Sequence, residues 1–270
     1  MRHILILLIG AALITSCSKQ TKPTPSAVSN WTPPQNPNPQ SILEEAEADA
    51  QAGKYADALA KQVWFFKKSL KYDSGEYGVR LSFALSDWVG LGKVYPPALE
   101  KLKAFRDEAE KNVREGENVR DSFHDFESIN EYLKEDAKTV QLFIWLDSNK
   151  PDSAKIVFNR AEPALIKSKE YRLCGKYIDD PDTSFSRNLN LYRKNMELVP
   201  KPGYGGKNLQ NFAEKNFINE TTTLIAFLVV NDRKVEAQQI VDKISKEQNI
   251  PEFKDEIQKA LNGEVPQPWP

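Results

Sequence analysis

The chain has 270 residues, of which 40% are hydrophobic and 28% are charged, with 37 Lys and Arg against 38 Asp and Glu. This length and composition predict a packed core in one large domain or two small ones. The near-neutral balance gives no electrostatic reason to expect nucleic acid or an anionic membrane surface as the partner.

Residues 1–16 have the organisation of an export signal. The apolar run 4–14 follows a short basic region and spans about 11 residues, whereas crossing a bilayer takes roughly 20. The next sequence, ITSC at 14–17, resembles the lipobox of bacterial lipoproteins. That resemblance implies cleavage before Cys17 and its modification with acyl chains such as palmitate. An uncleaved hydrophobic helix and an ordinary signal peptide are the alternatives.

The lipobox resemblance also implies an address in the bacterial envelope. Ser18 follows Cys17, whereas aspartate at this position typically retains lipoproteins in the inner membrane. The resemblance therefore implies an outer-membrane anchor, with the protein facing the periplasm. If Cys17 carries lipid, Cys174 has no partner for an intrachain disulfide, and we expect it to be a small buried apolar side chain.

Residues 17–40 are predicted to be a lipidated, disordered tether. The stretch 18–40 contains six prolines and almost no aliphatic residues, so it cannot bury enough apolar surface to fold. Its one aromatic residue is Trp31. We expect Trp31 to be incidental or to dock on the domain, and a recognition motif is the alternative.

Helical periodicity begins at Ser41 and continues over 41–262. Ser41 and Glu44 form a capping-box pattern, and no strand-like alternation bounded by hairpin turns is found. We therefore predict an all-α domain of stacked antiparallel helix pairs. Its last helix is expected from about Pro251 to Leu261, followed by a tail at 263–270.

Four segments of this domain share one pattern around a small residue. The first, AGKYADAL, resembles the centre of a tetratricopeptide repeat (TPR), in which an alanine (here Ala58) lets two helices approach closely. The successive spacings between the four alanines are 40, 56 and 83 residues, against 34 in the family. The resemblance implies an irregular TPR-like α-solenoid, and an irregular helical bundle is the alternative. The residues assigned to helix-pair packing are Ala58, Ala98, Leu102, Phe105, Ala154, Phe158, Ala161, Ala237, Val241 and Ile244.

Several stretches predict breaks between the helices. Residues 112–127 are polar and predict a linker, with a new helix near Phe126. Pro163 is expected to end one helix and start another. The stretches 174–190 and 199–208 are predicted to be long loops.

The search for catalytic or metal-binding motifs finds isolated residues only. His124 is the one histidine outside the signal segment, and we expect it to be a partly buried structural residue rather than a base. Asp179, Asp180 and Asp182 lack the spacing of a calcium loop and indicate a solvated turn. The glycine-rich stretch 203–207 lacks the spacing of a phosphate loop. We therefore expect no metal, no cofactor and no enzymatic activity.

One TPR subclass clamps the terminal carboxylate of a peptide between Lys and Asn side chains. In an alignment on Ala98, the corresponding positions are Arg80, Phe83, Ala84 and Asp87. Because one of the four is basic and none is Asn, the sequence disfavours that subclass. Three tryptophans of the helical region could line a groove, but we expect them to lie in the core. They are Trp64, Trp88 and Trp145.

Taken together, these patterns predict a non-catalytic envelope lipoprotein that binds or scaffolds another protein. The alternative is a receptor lipoprotein for a small molecule or glycan in an uptake system. The expected partners are the membrane, through the lipid on Cys17, and a protein or peptide, with no nucleic acid.

Overall fold

The computed structural model describes residues 28–247 and 251–269 of the chain. The predicted all-α class is confirmed, because the described residues form helices and their connections, without a strand. The signal segment, Cys17 and the first part of the tether lie outside the described residues.

Thirteen α-helices are found in the described ranges, and a 3₁₀ turn at Ser74–Glu76 separates the second from the third. In chain order they are α1 (Pro39–Gln51), α2 (Tyr55–Tyr72), α3 (Tyr77–Arg80), α4 (Phe83–Val94), α5 (Pro96–Glu115), α6 (Val119–Leu133), α7 (Asp136–Asn149), α8 (Pro151–Lys167), α9 (Tyr171–Lys176), α10 (Pro181–Leu198), α11 (Lys207–Val230), α12 (Lys234–Glu247) and α13 (Pro251–Leu261).

Helices adjacent in the chain pack against each other, most extensively α1 with α2, α5 with α6, α10 with α11, α7 with α8 and α4 with α5, and also α11 with α12. The connections are short because local backbone chemistry reverses the chain. Gly53 adopts a left-handed φ of 76° between α1 and α2. Pro96 and Pro151 occupy the first turns of α5 and α8, where a missing N–H costs little.

The interior contains two hydrophobic clusters. The smaller one centres on Trp88, which is fully buried and meets the rings of Phe66 and Phe105 edge-on. Its indole Nε1 donates a 2.8 Å hydrogen bond to the Ala98 carbonyl, so the ring joins α4 to α5. The larger cluster extends from α5 to α13 and includes Phe217 and other buried residues of α11.

The linker predicted at 112–127 is wrong. Helix α5 continues to Glu115 and α6 begins at Val119, so the connection is three residues long. Gly116 ends α5 in the left-handed conformation, at φ 90°, and its N–H bonds the Asn112 carbonyl at 2.9 Å. One glycine therefore makes a short turn where the polar composition had suggested a long linker.

Pro163 does not end a helix, contrary to the prediction. It lies inside α8, and the turn after it buries Ala164, Leu165 and Ile166 in the core. This burial offsets the backbone hydrogen bond that proline removes from the helix.

The long loop predicted at 174–190 is also wrong, because α9 and α10 occupy most of it. Asp180 caps α10: its carboxylate accepts hydrogen bonds from the Asp182 N–H at 3.0 Å and the Thr183 hydroxyl at 2.5 Å. Phe185 and Leu189 are buried one helical turn apart. The predicted loop at 199–208 is shorter than expected, since α11 begins at Lys207.

The first helix begins three residues earlier than predicted. Its N-cap is Asn38 and not Ser41, and the Asn38 side chain accepts a 2.9 Å hydrogen bond from the Ser41 N–H. The described part of the predicted tether contacts α2, because Trp31 meets Trp64 edge-on at 6.5 Å between ring centroids and lies 5.8 Å from the Lys61 ammonium. Trp31 therefore docks on the domain.

Candidate functional site

A groove lined by α6, α7, α8, α10, α11 and α13, and by Pro266, Pro268 and Trp269 after α13, is the candidate functional site. It consists of three cavities that share residues. Asn159 and Pro163 of α8 line the first and the second cavity, and Trp269 lines the second and the third. The cavities measure about 340, 420 and 450 Å³ in that order, and a fourth cavity of about 680 Å³ shares Arg187 and Leu191 with the first. The groove is therefore elongated rather than a single enclosed pocket.

The middle cavity is strongly charged. Its acidic side chains come from α6 and α7 and its basic side chains from α8, whose Lys167 pairs with Asp136 at 3.1 Å. The charged residues that line it are Glu127, Glu131, Asp136, Arg160 and Lys167.

A hydrogen-bonded network adjoins this cavity on α6. The Tyr77 hydroxyl lies 2.8 Å from His124 Nδ1, and His124 Nε2 lies 3.6 Å from the Glu127 carboxylate. The neighbouring Arg80 and Asp125 form a two-pronged ion pair with nitrogen–oxygen distances of 2.5 and 3.1 Å. These contacts fix the polar face of α6 against α3.

Burial determines the protonation of this network. It lowers the pKa of His124 to about 4, assisted by the positive charges of Arg160 and Arg80, so the imidazole is neutral at physiological pH. Burial also raises the pKa of Glu127 to about 7, opposed by Arg160 and assisted by Glu131. Near pH 7 the Glu127 carboxyl therefore exchanges its proton while His124 does not titrate.

The first cavity lies between α8, α10 and α11 and is rich in amide side chains. Burial, with the nearby Glu220 carboxylate, raises the pKa of Glu162 to about 7, while Arg187 opposes the rise. The Asn216 Oδ1 atom is buried and has no hydrogen-bond partner among the described residues. The amide side chains that line this cavity are Asn159, Asn188, Asn195 and Asn216.

The residues assigned by sequence to helix-pair packing lie away from the groove. Ala58, Ala98, Ala154 and Ala237 are each fully buried, at the third or fourth position of α2, α5, α8 and α12. Val241 is partly buried, in contact with the larger cluster. The other five members, also buried, are Leu102, Phe105, Phe158, Ala161 and Ile244.

The positions aligned with the carboxylate clamp do not form one. Arg80 is buried against Asp125, Phe83 is 72% exposed, Ala84 is buried and Asp87 is exposed.

The three tryptophans of the helical region differ in burial. Trp88 is fully buried, while Trp64 and Trp145 are partly buried, Trp145 with the Arg114 guanidinium 4.5 Å from its ring.

The isolated motifs have structural surroundings. Asp179 pairs with Lys155 and Asp182 pairs with Lys243. Gly203 and the two other glycines of the stretch 203–207 have positive φ angles and form the loop before α11. In the described ranges no group of His, Cys, Asp and Glu side chains is arranged to hold a metal ion. Cys174 is fully buried, and burial raises the pKa of its thiol to about 12.

His124 stands out in the sequence as the lone histidine outside the signal segment, whereas the carboxylates beside it were not predicted. His124, Glu127 and Glu131 follow one another at intervals of three and four residues, which places them on one face of α6. The opposite face carries Phe126 and Ile129, both fully buried. This spacing was a usable signal for the polar wall of the groove.

No family model, no curated protein and no solved structure matches this chain. Within the described part of the chain, no helix has the length and apolar character that crossing a bilayer requires.

Proposed function

We propose that this chain is a lipoprotein of the bacterial envelope, anchored through Cys17, whose helical domain binds another protein without catalysing a reaction. The observation that carries the proposal is the groove itself. Three cavities of similar size follow one another and share lining residues. An elongated polar site suits a polypeptide segment better than a compact metabolite, which favours one enclosed pocket.

The proposal of a TPR-like domain rests on the repeat-like sequence pattern around four alanines. Each alanine of the repeat-like pattern is fully buried near the start of the second helix of a pair. A methyl group at this position permits close contact between helices, as the TPR pattern requires. The lipobox resemblance supplies the second part of the proposal, an anchor facing the periplasm at the outer membrane.

The chemistry of the groove supports a binding role. His124 is neutral and engaged with Tyr77, and its low pKa makes it a weak base. The Cys174 thiol is buried and protonated at neutral pH, which is unsuited to nucleophilic attack. We assign the charged side chains that line the groove, Glu127 and Glu162 included, to partner recognition.

A glycan or small-molecule receptor is the second candidate. The observation favouring it is the convergence of four asparagine side chains in the first cavity, with the Glu162 carboxyl and the Arg187 guanidinium beside them. Amide and charged groups together can pair with the hydroxyl groups of a sugar. A thermal-shift screen with sugars separates the candidates, because a sugar at 100 times its Kd stabilises the fold by about 2.7 kcal/mol.

Site-specific photo-crosslinking in native envelopes tests the leading proposal. The photo-reactive residue p-benzoylphenylalanine replaces Leu191, which lines the first cavity and is 50% exposed. The matched control replaces Ile156 of α8, also 50% exposed and outside the groove lining. We expect a discrete protein adduct from position 191 alone. Absence of an adduct at 191, or equal adducts at both positions, would contradict the proposal.

A further inference from the structure

The segment after α13 folds back onto the groove. Gly263 adopts a left-handed φ of 82°, and the Glu264 N–H bonds the Lys259 carbonyl at 3.1 Å, which completes a glycine C-cap. This cap reverses the chain direction at the end of α13. Val265 then packs against the larger hydrophobic cluster. Residues 264–269 are called the tail segment below.

The tail segment runs antiparallel to α11. A Cβ atom on Gly263 would lie 3.6 Å from Val230 Cγ2, at the end of α11. Four residues later, the Gln267 carbonyl accepts a 2.9 Å hydrogen bond from the Asn219 side chain. Eleven helical residues span about 16 Å, and four extended residues span about 13 Å. The segment is therefore close to fully extended along α11.

Trp269 occupies the junction between two cavities. Its side chain lines the third cavity with α11 and the middle cavity with α6 and α8. The Lys215 ammonium lies 5.9 Å from the centre of its ring, at the outer limit of a cation–π contact. The indole Nε1 is buried and has no hydrogen-bond partner among the described residues, a mismatch that weakens the docking.

The composition of the tail segment suits an extended bound conformation. Pro266 and Pro268 both lack a backbone N–H, so fewer donors need a partner. Proline also restricts the free chain to extended conformations, which lowers the entropy lost on docking. The segment thus combines a preformed backbone with one aromatic anchor, and it is held by contacts that a competing chain can replace.

We propose that the tail segment is a built-in occupant of the groove, and that the protein partner supplies an extended, proline-containing segment with an aromatic side chain that displaces it. This inference rests on the proposed protein-binding function and adds the chemistry of the partner and a means of regulation. The partner's aromatic side chain takes the place of Trp269 beside Lys215, and its backbone carbonyl takes the hydrogen bond from Asn219.

A labelled peptide tests this proposal directly. The probe is the capped synthetic hexapeptide EVPQPW with a fluorescein label, titrated into the full chain by fluorescence anisotropy. A docked segment reduces the apparent affinity in proportion to the fraction of open groove. If the tail segment is docked in nine of ten molecules, the Trp269→Ala chain binds the probe about tenfold more tightly than the wild type. A probe ending in alanine should not bind.

Two variants of the tail segment serve as controls. Gln267→Ala keeps the carbonyl that Asn219 contacts and changes an exposed side chain, so it should bind the probe as weakly as the wild type. Trp269→Phe keeps an aromatic ring at the junction and should bind the probe more weakly than Trp269→Ala does. Circular dichroism melting verifies that each variant is folded, which we expect because Trp269 is outside both hydrophobic clusters.

The outcomes separate this inference from the proposed function. Equal binding of the probe by wild type and Trp269→Ala, or no binding by either, overturns the role of the tail segment. A protein adduct at position 191 would in that case still support the proposed protein-binding function, with a different binding mode. Conversely, probe binding with the expected ranking supports the tail segment even if the envelope yields no adduct.

Discussion

Replacing Glu127 with glutamine should make the fold less sensitive to alkaline pH. Its side chain on α6 is 17% exposed, and burial raises its pKa to about 7. Its surroundings include His124 and Glu131 on α6, Asp136 on α7 and Arg160 on α8. Glutamine has nearly the same shape and carries no titratable proton, so the substitution removes the titration and preserves the packing.

The sign follows from the raised pKa. Between its ordinary value of 4.5 and 7, the Glu127 carboxyl of the unfolded chain ionises while that of the folded chain keeps its proton. Folding therefore takes up a proton, and stability falls as the pH rises through this window. At about 1.4 kcal/mol per pKa unit, the loss between pH 5 and pH 8 is roughly 2–3 kcal/mol. Glu127→Gln should avoid this loss.

Thermal unfolding of both proteins at pH 5 and pH 8 checks this expectation. The difference in Tm between Glu127→Gln and wild type should increase by roughly 5–10 °C from pH 5 to pH 8, given about 2–4 °C per kcal/mol. Glu108→Gln is the matched control, because that side chain is 60% exposed on α5. An unchanged difference across the pH range would refute the assignment of a buried, proton-holding carboxyl at 127.

Three further predictions concern the interior. Ala98→Leu should lower the free energy of unfolding by about 1–3 kcal/mol in denaturant unfolding, because Ala98 is fully buried. The control Ala104→Leu, on the exposed face of α5, should stay within about 0.5 kcal/mol of wild type. Similar values for both would contradict the close helix crossing. Arg80→Ala should cost roughly 3 kcal/mol in the same assay, since it leaves a partly buried carboxylate unpaired, and a cost below about 0.5 kcal/mol would show that the pair is not structural. With Cys17 replaced by serine, the Cys174 thiol should react with a maleimide only after unfolding, and rapid labelling of the folded chain would contradict its burial.

The fold class was predictable because helical periodicity is a local property. Ala98 and Leu102 lie one helical turn apart, and both side chains are fully buried. The breaks between helices were less predictable, since they depend on single residues. Gly116 shortened a linker, Asp180 capped a helix within a predicted loop, and burial after Pro163 kept α8 intact. Each outcome depends on tertiary packing that a local pattern does not contain.

The groove was predictable only in part. His124 was predicted from the sequence to be a partly buried structural residue, and its neighbour Glu127 could have been found from their three-residue spacing. The approach of Trp269 to α11 could not have been predicted. It depends on a turn at Gly263 and on contacts between residues about 50 positions apart in the chain. Long-range contacts of this kind leave no periodic signal.

We propose that the groove binds a protein and that the tail segment competes for it. The most direct test is the yield of the photo-adduct at position 191 in native envelopes, compared between the wild-type chain and the Trp269→Ala chain. We predict the same adduct in both, with a yield severalfold higher in Trp269→Ala. Absence of any adduct from either chain would contradict the claim.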